Sequence, residues 1–275
     1  MNPTAELDVP GAGRVKIHTH ADRDPYISGV LLAGRLFEPH ILATLTAFLK
    51  PGDHFLDVGA NIGWFATIGS RLVGPTGRVY ALEPDPENYQ LLRRNLAANN
   101  CRNARTWPFA AGSRSHKAIL QRSATNRGDH RVAIQPNTGD MAVVHVKSVD
   151  RLLWLSRRLD AVLIDTQGSE VNVLRGMQSV LKRNPMLRII FEFWPHGLES
   201  CGSSVEELAA IAQGYGWVMW LLEHAAPPKA IQAKDLITLS RDRFTPLSQH
   251  HADVVALSPQ DGEAIHIMRS LAGTE

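Results

Sequence analysis

The stretch HFLDVGANIGWF, residues 54–65, sets a short apolar run directly before two glycines and an asparagine. HFLDV reads as a buried strand and NIGWFATIGSRLVG as a helix ending at Gly74, so the pliable residues fall in the turn between them. Two explanations serve such a turn. Glycine and asparagine tolerate backbone angles that other residues avoid. Bare backbone N–H groups at a helix start also lie close against a polar ligand.

Beyond this stretch the alternation continues. GRVYALE reads as a second strand, PENYQLLRRNLAANN as a helix, and ARTWPFA as a third strand interrupted by proline. LDAVLID is a fourth strand, followed by the helical SEVNVLRGMQSVLKR. LRIIFEF, GWVMWLLE and ADVVALSP supply a fifth, sixth and seventh, with the helix SVEELAAIAQGY between the fifth and sixth. Continuous apolar strands separated by amphipathic helices indicate an α/β fold, a mostly parallel seven-stranded sheet with helices on both faces. Residues 51–275 are read as this domain and residues 1–50 as an N-terminal helical lead-in or lid. Two segments break the rhythm and read as inserts: 113–148, with its alternating MAVVHVKSV, and 224–250.

The 275 residues are 44% apolar and 20% charged, as in ordinary globular proteins. Net charge is +2, which gives no nucleic-acid footprint. Cys101 and Cys201 form no CxxC pair or Cys/His cluster, so neither a disulfide framework nor structural zinc is expected, and a reducing cytoplasm is the expected compartment. The first twenty residues show no secretory h-region, and no apolar run is long enough to span a membrane.

In an open α/β sheet, ligands collect at the carboxyl ends of the strands near the switch in strand order. Asp57, Gly59, Asn61 and Gly63 fall there, and Glu83 closes the second strand 20 residues after Gly63, where an acidic residue bonds ribose hydroxyls. Together they indicate an adenosine-containing cofactor. A dinucleotide calls for G-x-G-x-x-G, whereas here the spacing is Gly59-Ala60-Asn61-Ile62-Gly63. S-adenosylmethionine has no pyrophosphate and escapes that constraint. NAD remains the competing cofactor, and a nicotinamide-dependent oxidoreductase the competing enzyme.

PGDHFLDVGANIGWFA, VYALEPDPENYQLLRRNL, VKSVDRLL and LDAVLIDTQGSEVNVLRGM together resemble the FkbM-type S-adenosylmethionine-dependent methyltransferases, and the lead-in from Asp24 is similar as well. The resemblance runs from about Asp24 to Phe193. It implies a Rossmann-like class I methyltransferase fold with an antiparallel last strand, and methyl transfer to a hydroxyl of a sugar or natural product. It also implies that Asp57, Gly59, Asn61 and Gly63 line the methionine side, that Glu83 holds the ribose, and that Ala110 and Ala111 lie by the adenine. The family usually has Asp-x-Glu-Gly-x-Glu after the fourth strand. Here Gln167 stands in Asp165-Thr166-Gln167-Gly168-Ser169-Glu170 and removes a negative charge.

An alcohol acceptor loses a proton as the methyl–oxygen bond forms, which a nearby base assists. Asp165, on the cofactor side of the fourth strand, is the first candidate for that base, with a helix cap as its structural alternative. Glu192 and His196 follow the fifth strand and share the candidacy, while Glu170 reads as structural. Asp165 and Glu192 carry the oxygen donors a divalent cation takes, but no further carboxylate is aimed there and no metal is expected. Glu38, at the start of FEPHILATLTAFL, is directed towards the cofactor, and Trp194 offers a stacking face. The polar ATNRGDHR, with Asn126, Arg127, His130 and Arg131, is a candidate cover for the acceptor. The sequence thus reads as a methyltransferase acting on a small hydroxyl-bearing molecule. A cofactor-binding module without turnover is the other alternative, and Gln167 keeps it open.

Overall fold

A computed structural model of the chain describes residues 2–20, 24–123, 126–133, 139–156, 158–244 and 251–274. The chain opens with an antiparallel hairpin, β1 (Thr4–Val9) and β2 (Gly13–His18), where helices were expected, and only then enters α1 (Ile27–Leu32) and α2 (Pro39–Phe48). The alternation in Ala5, Leu7, Val9 and Val15, Ile17 is the reason: period-two burial suits a strand.

The alternating core follows as β3 (His54–Val58), α3 (Trp64–Val73), β4 (Arg78–Leu82), α4 (Pro86–Ala98) and β5 (Ala104–Trp107). Pro108 lacks the N–H that would continue the ladder, so the expected third strand splits there. Its second half, β6 (Ala110–Ala111), joins a separate four-stranded sheet with β7 (His116–Gln121), β8 (Arg131–Ala133) and β9 (Met141–Lys147), in the order β6-β9-β7-β8. Leu120, Val144 and Val146 form its small core. The main path resumes with α5 (Val149–Leu152), β10 (Ala161–Ile164), α6 (Glu170–Arg175), α7 (Gln178–Arg183) and β11 (Arg188–Phe193). The single helix expected after β10 breaks at Gly176, whose missing side chain lets the carbonyl of Gly112 approach to 2.0 Å from where a Cβ would lie. The remainder is α8 (Pro195–Ser200), α9 (Val205–Tyr215), β12 (Val218–Leu222), β13 (Lys229–Ile231), α10 (Ala233–Asp242), β14 (Ala252–Leu257) and α11 (Gly262–Ala272).

The main sheet has the order β13-β12-β14-β11-β10-β3-β4-β5. β14 runs antiparallel to both its neighbours, β11 and β12, as the family resemblance implied. The seven expected strands are joined by an eighth, β13, which pairs antiparallel with β12 at the edge. It comes from the segment read as an insert or lid. With α10, whose Leu236 enters the core, that segment extends the far edge of the sheet; residues 245–250 lie outside the described residues.

Successive strand residues face opposite cores. Phe55, Leu163, Ile190 and Val255 face the layer built from the hairpin, α2, α3, α4 and α11. Leu56, Val162, Phe191 and Val254 face α6, α7 and α9. Burying each such side chain contributes roughly 1.5–3 kcal/mol relative to exposure. The chain runs outward from β3 to β5 and returns to β10 beside β3, so strand order reverses between the carboxyl ends of β3 and β10. Among the described residues no helix is long and apolar enough to cross a membrane.

Candidate active site

At that reversal the backbone is drawn tight. The N–H groups of Gly59 and Ala60 both donate to the carbonyl of Leu82, and the N–H of Asp165 donates to the carbonyl of Val58, each at 2.9 Å. Gly59 has φ +87°, and a Cβ there would lie 1.7 Å from the carbonyl oxygen of Asp165. Gly63, at φ +85°, would meet Leu92 at 2.6 Å. For both glycines close backbone approach is the reason for the residue. Asn61 differs: it is left-handed with φ 47°, its N–H donates to Glu83 Oε2 at 2.8 Å, and its amide donates to the carbonyl of Arg127 at 3.1 Å.

Glu83 is buried, and its other oxygen accepts the N–H of Asp85 at 2.8 Å. Burial pushes its carboxyl up to about 8 against the pull of these backbone hydrogen bonds. Asp57 is buried with Oδ2 unpartnered among the described residues. Its carboxyl is raised to about 8, first by burial and then by the charge of Asp165.

The opposite wall starts at Asp165, just beyond β10. Gln167, left-handed at φ 54°, donates one amide nitrogen to two carboxylates, Asp165 Oδ1 at 2.7 Å and Glu192 Oε1 at 3.1 Å. Burial lifts the Asp165 carboxyl to about 6, with the hydrogen bond from Gln167 opposing and the charge of Asp253 adding. Glu192 is raised well above the usual carboxylate range by burial and by Asp165 beside it, and its Oε2 has no partner among the described residues. Glu170 organises the loop: one oxygen accepts the N–H and hydroxyl of Thr166 and the N–H of Gly168. Asp165 therefore does not cap this helix; Glu170 secures the turn in its place.

Glu38, Asp57, Gly59 and Asn61 line one cavity with Glu83, Ala110, Ala111, Asp165 and Glu192. Gly63 stands behind the turn as the N-cap of α3, outside that lining, and His196 lies half-buried on α8 with its ring against Trp194. Glu38 is brought in by a left-handed backbone, φ 44°, held in place by Pro39 at the first position of α2. Of the five non-glycine residues with positive φ among those described, Glu38, Asn61 and Gln167 all line this cavity, a concentration of strain found where a site is over-determined by its surroundings.

The polar stretch after β7 folds onto the glycine turn, since the carbonyl of Arg127 accepts both Asn61 and the amide of Asn88. Ala124 and Thr125 lie outside the described residues. His130 also lines the cavity. Its Nδ1 accepts the N–H of Ser123 at 3.1 Å, so the neutral ring carries its proton on Nε2 and presents a donor. Burial holds this ring neutral, with its pKa lowered to about 4. Sequence reasoning missed Phe109, Leu120 and His251 in the lining. His251 opens β14 after a segment with no distinctive motif, so only the antiparallel insertion of that strand reveals it. Among the described residues no three His, Cys, Asp or Glu side chains are arranged to hold a metal ion.

Residues 57–221 match the family model described as the methyltransferase FkbM domain. A protein-L-isoaspartate O-methyltransferase from Methanothrix thermoacetophila is 39% identical over 67 residues, 24% of this chain and 32% of that protein. A probable cobalt-precorrin-6B C(15)-methyltransferase from Sulfolobus acidocaldarius is 39% identical over 66 residues, 24% and 34% of the two chains. The chain thus spans about a third of the length of these relatives. A solved S-adenosylmethionine-dependent O-methyltransferase from Thermotoga maritima is 14% identical, with a TM-score of 0.47 over 81% of this chain and 66% of that one.

Proposed function

The chain belongs to the FkbM methyltransferase family, which uses S-adenosylmethionine, and from that premise we propose that it methylates a hydroxyl oxygen of a sugar or another small natural product. The nicotinamide alternative falls with the family match. The observation that carries the oxygen reading is Asp165: a half-buried carboxylate on the cavity wall, raised to about 6, with one oxygen fixed by Gln167. Near neutral pH such a group is ionised and basic enough to steer a hydroxyl and take its proton.

The cavity fits the cofactor. It encloses about 210 Å³ and is open at its mouth, where an acceptor can enter. When bound, S-adenosylmethionine supplies an electrophilic methyl group on a cationic sulfur. The unpartnered oxygen of Asp57 suits its ammonium, Glu83 its ribose hydroxyls, and Ala110 and Ala111 the adenine edge, which leaves the unpartnered oxygen of Glu38 for the acceptor. A reducing cytoplasm suits the free thiols of Cys101 and Cys201. The test is mass-spectrometric detection of S-adenosylhomocysteine across a panel of hydroxylated acceptors, with a carbon-13 methyl group mapping the methylated atom. Methyl found only on carbon or nitrogen would overturn the reading.

Two expected results concern the cofactor. Glu83→Ala weakens S-adenosylmethionine binding by about 1–3 kcal/mol, through lost hydrogen bonds to the ribose hydroxyls. Calorimetry measures this, and unchanged affinity would move the ribose contact elsewhere. Asp57→Asn trades affinity for stability. Between the ordinary carboxyl pKa and about 8, folded Asp57 keeps a proton that the unfolded chain has lost, so stability falls as pH rises through that window. Asparagine removes this penalty. The cofactor-free variant should therefore melt higher than wild type at pH 8 by roughly 2–4 °C per kcal/mol regained, and nearly alike at pH 4. A lower melting point at pH 8 would refute the assignment of strain to Asp57.

A further inference from the structure

Carboxyl groups outnumber cations in the lining of the cavity. Among the described lining residues, Glu38, Asp57, Glu83, Asp165 and Glu192 are carboxylates, and Arg127 is the one guanidinium. S-adenosylmethionine carries an ammonium, a sulfonium and a carboxylate, so it adds only one net positive charge. Burial keeps the proton on such a carboxyl until a cation arrives beside it and lets it ionise.

The imbalance is greatest around Glu192. Its side chain is enclosed, at 5% exposure, with Oε2 unpartnered among the described residues, and Glu38 Oε2 is likewise unpartnered. Two cations of neighbouring elements have their own partners: His40 pairs with Asp253 at 2.8 Å, and Arg131 pairs with Asp129 and lies over the ring of Trp194. Gln167 adds a geometric constraint. Because one amide nitrogen holds an oxygen of Asp165 and an oxygen of Glu192, the two carboxyl groups stand side by side at the cavity wall. An acceptor meeting both presents two adjacent polar groups.

We propose that the acceptor is a vicinal amino alcohol, such as an amino sugar, with its hydroxyl at Asp165 and its protonated amine held by Glu192 and Glu38. This rests on the oxygen-methylation reading above. A protonated amine has no free electron pair, so the same ion pair that orients the acceptor shields its nitrogen and leaves the neighbouring oxygen as the nucleophile.

The experiment titrates the protein, saturated with S-adenosylhomocysteine, with D-glucosamine, D-glucose, N-acetyl-D-glucosamine, trans-2-aminocyclohexanol and trans-cyclohexane-1,2-diol. The amines should bind at least about tenfold more tightly than their neutral counterparts. Glu192→Gln, which keeps the shape and removes the charge, should bring that ratio to within about twofold while S-adenosylhomocysteine still binds. Glu38→Gln should shift it in the same direction and serves if the first variant does not fold. Equal binding of neutral and amine probes, a preference that survives both variants, or binding by none of the five overturns the proposal. Product mapping separates this result from the parent reading. Methyl on the nitrogen of glucosamine would overturn both readings, since an amine held as its ammonium cannot attack, whereas methyl on glucose oxygen without amine preference would keep oxygen transfer and overturn the amine site alone.

Discussion

Asp165→Asn should lower single-turnover methyl transfer by roughly 10²–10⁴, the range for a lost general base, with S-adenosylmethionine affinity nearly intact. Asparagine keeps an oxygen for the Gln167 amide, so the wall of the cavity is preserved while the charge is lost. The wild-type rate should rise with pH through about 6, because the carboxylate and not the acid accepts the proton, and this limb should vanish in the variant. Rapid-quench measurement with an identified acceptor, with and without a chelator, checks both points. A variant that retains wild-type turnover and ignores the chelator sinks the base assignment and shifts it to Glu192. His196, half-buried against Trp194 outside the cavity lining, is no longer an equal competitor.

Gly59→Val should abolish cofactor binding and lower the melting temperature together. A valine side chain there would intrude on the space proposed for the methionine. The nearer obstacle is the backbone of Asp165, whose carbonyl oxygen lies 1.7 Å from the Cβ position, in a residue already at φ +87°. Relieving that contact separates β3 from β10 at the point where Asp165 donates to Val58, so the damage reaches both walls of the cavity. Even Gly59→Ala meets the same oxygen. Gly214→Ala is the matched control: it lies within α9 with nothing within 4 Å, and alanine there should be neutral or stabilising by up to about 1 kcal/mol. Calorimetry and thermal melting of the three variants give the comparison. Normal cofactor affinity in Gly59→Val would mean that the turn does not form the site.

The alternation of apolar strands with amphipathic helices was legible because each core strand carries side chains to both faces, as in Phe55 and Leu56 or Val162 and Leu163. The glycine turn was legible because Asp57, Gly59 and Glu83 are separated by fixed distances along a strand–turn–helix–strand unit. The hairpin at residues 4–18 was hidden by its shortness, and the splitting of the third strand at Pro108 became decisive only once a second sheet existed to receive Ala110. Gln167 looked like a subtraction of charge. Its use as a bridge depends on β10 and β11 being neighbours and on a left-handed backbone, neither of which is written in its local sequence. Glu38 and His251 reach the cavity from far along the chain, through α2 and β14 respectively.

The position of β14 bears on how the polypeptide emerges from the ribosome. β11 and β12 are not neighbours; β14, the strand between them, follows both in the chain. Until residue 257 has left the exit tunnel, both strands expose unpaired edges, and the apolar side chains of β11 lack Val254 and Val255 beside them. Unpaired apolar edges are where nascent chains associate wrongly. A fragment cut to residues 57–221 would carry the same exposure permanently and would also begin inside β3. The span that identifies the family is therefore shorter than the span that completes the sheet.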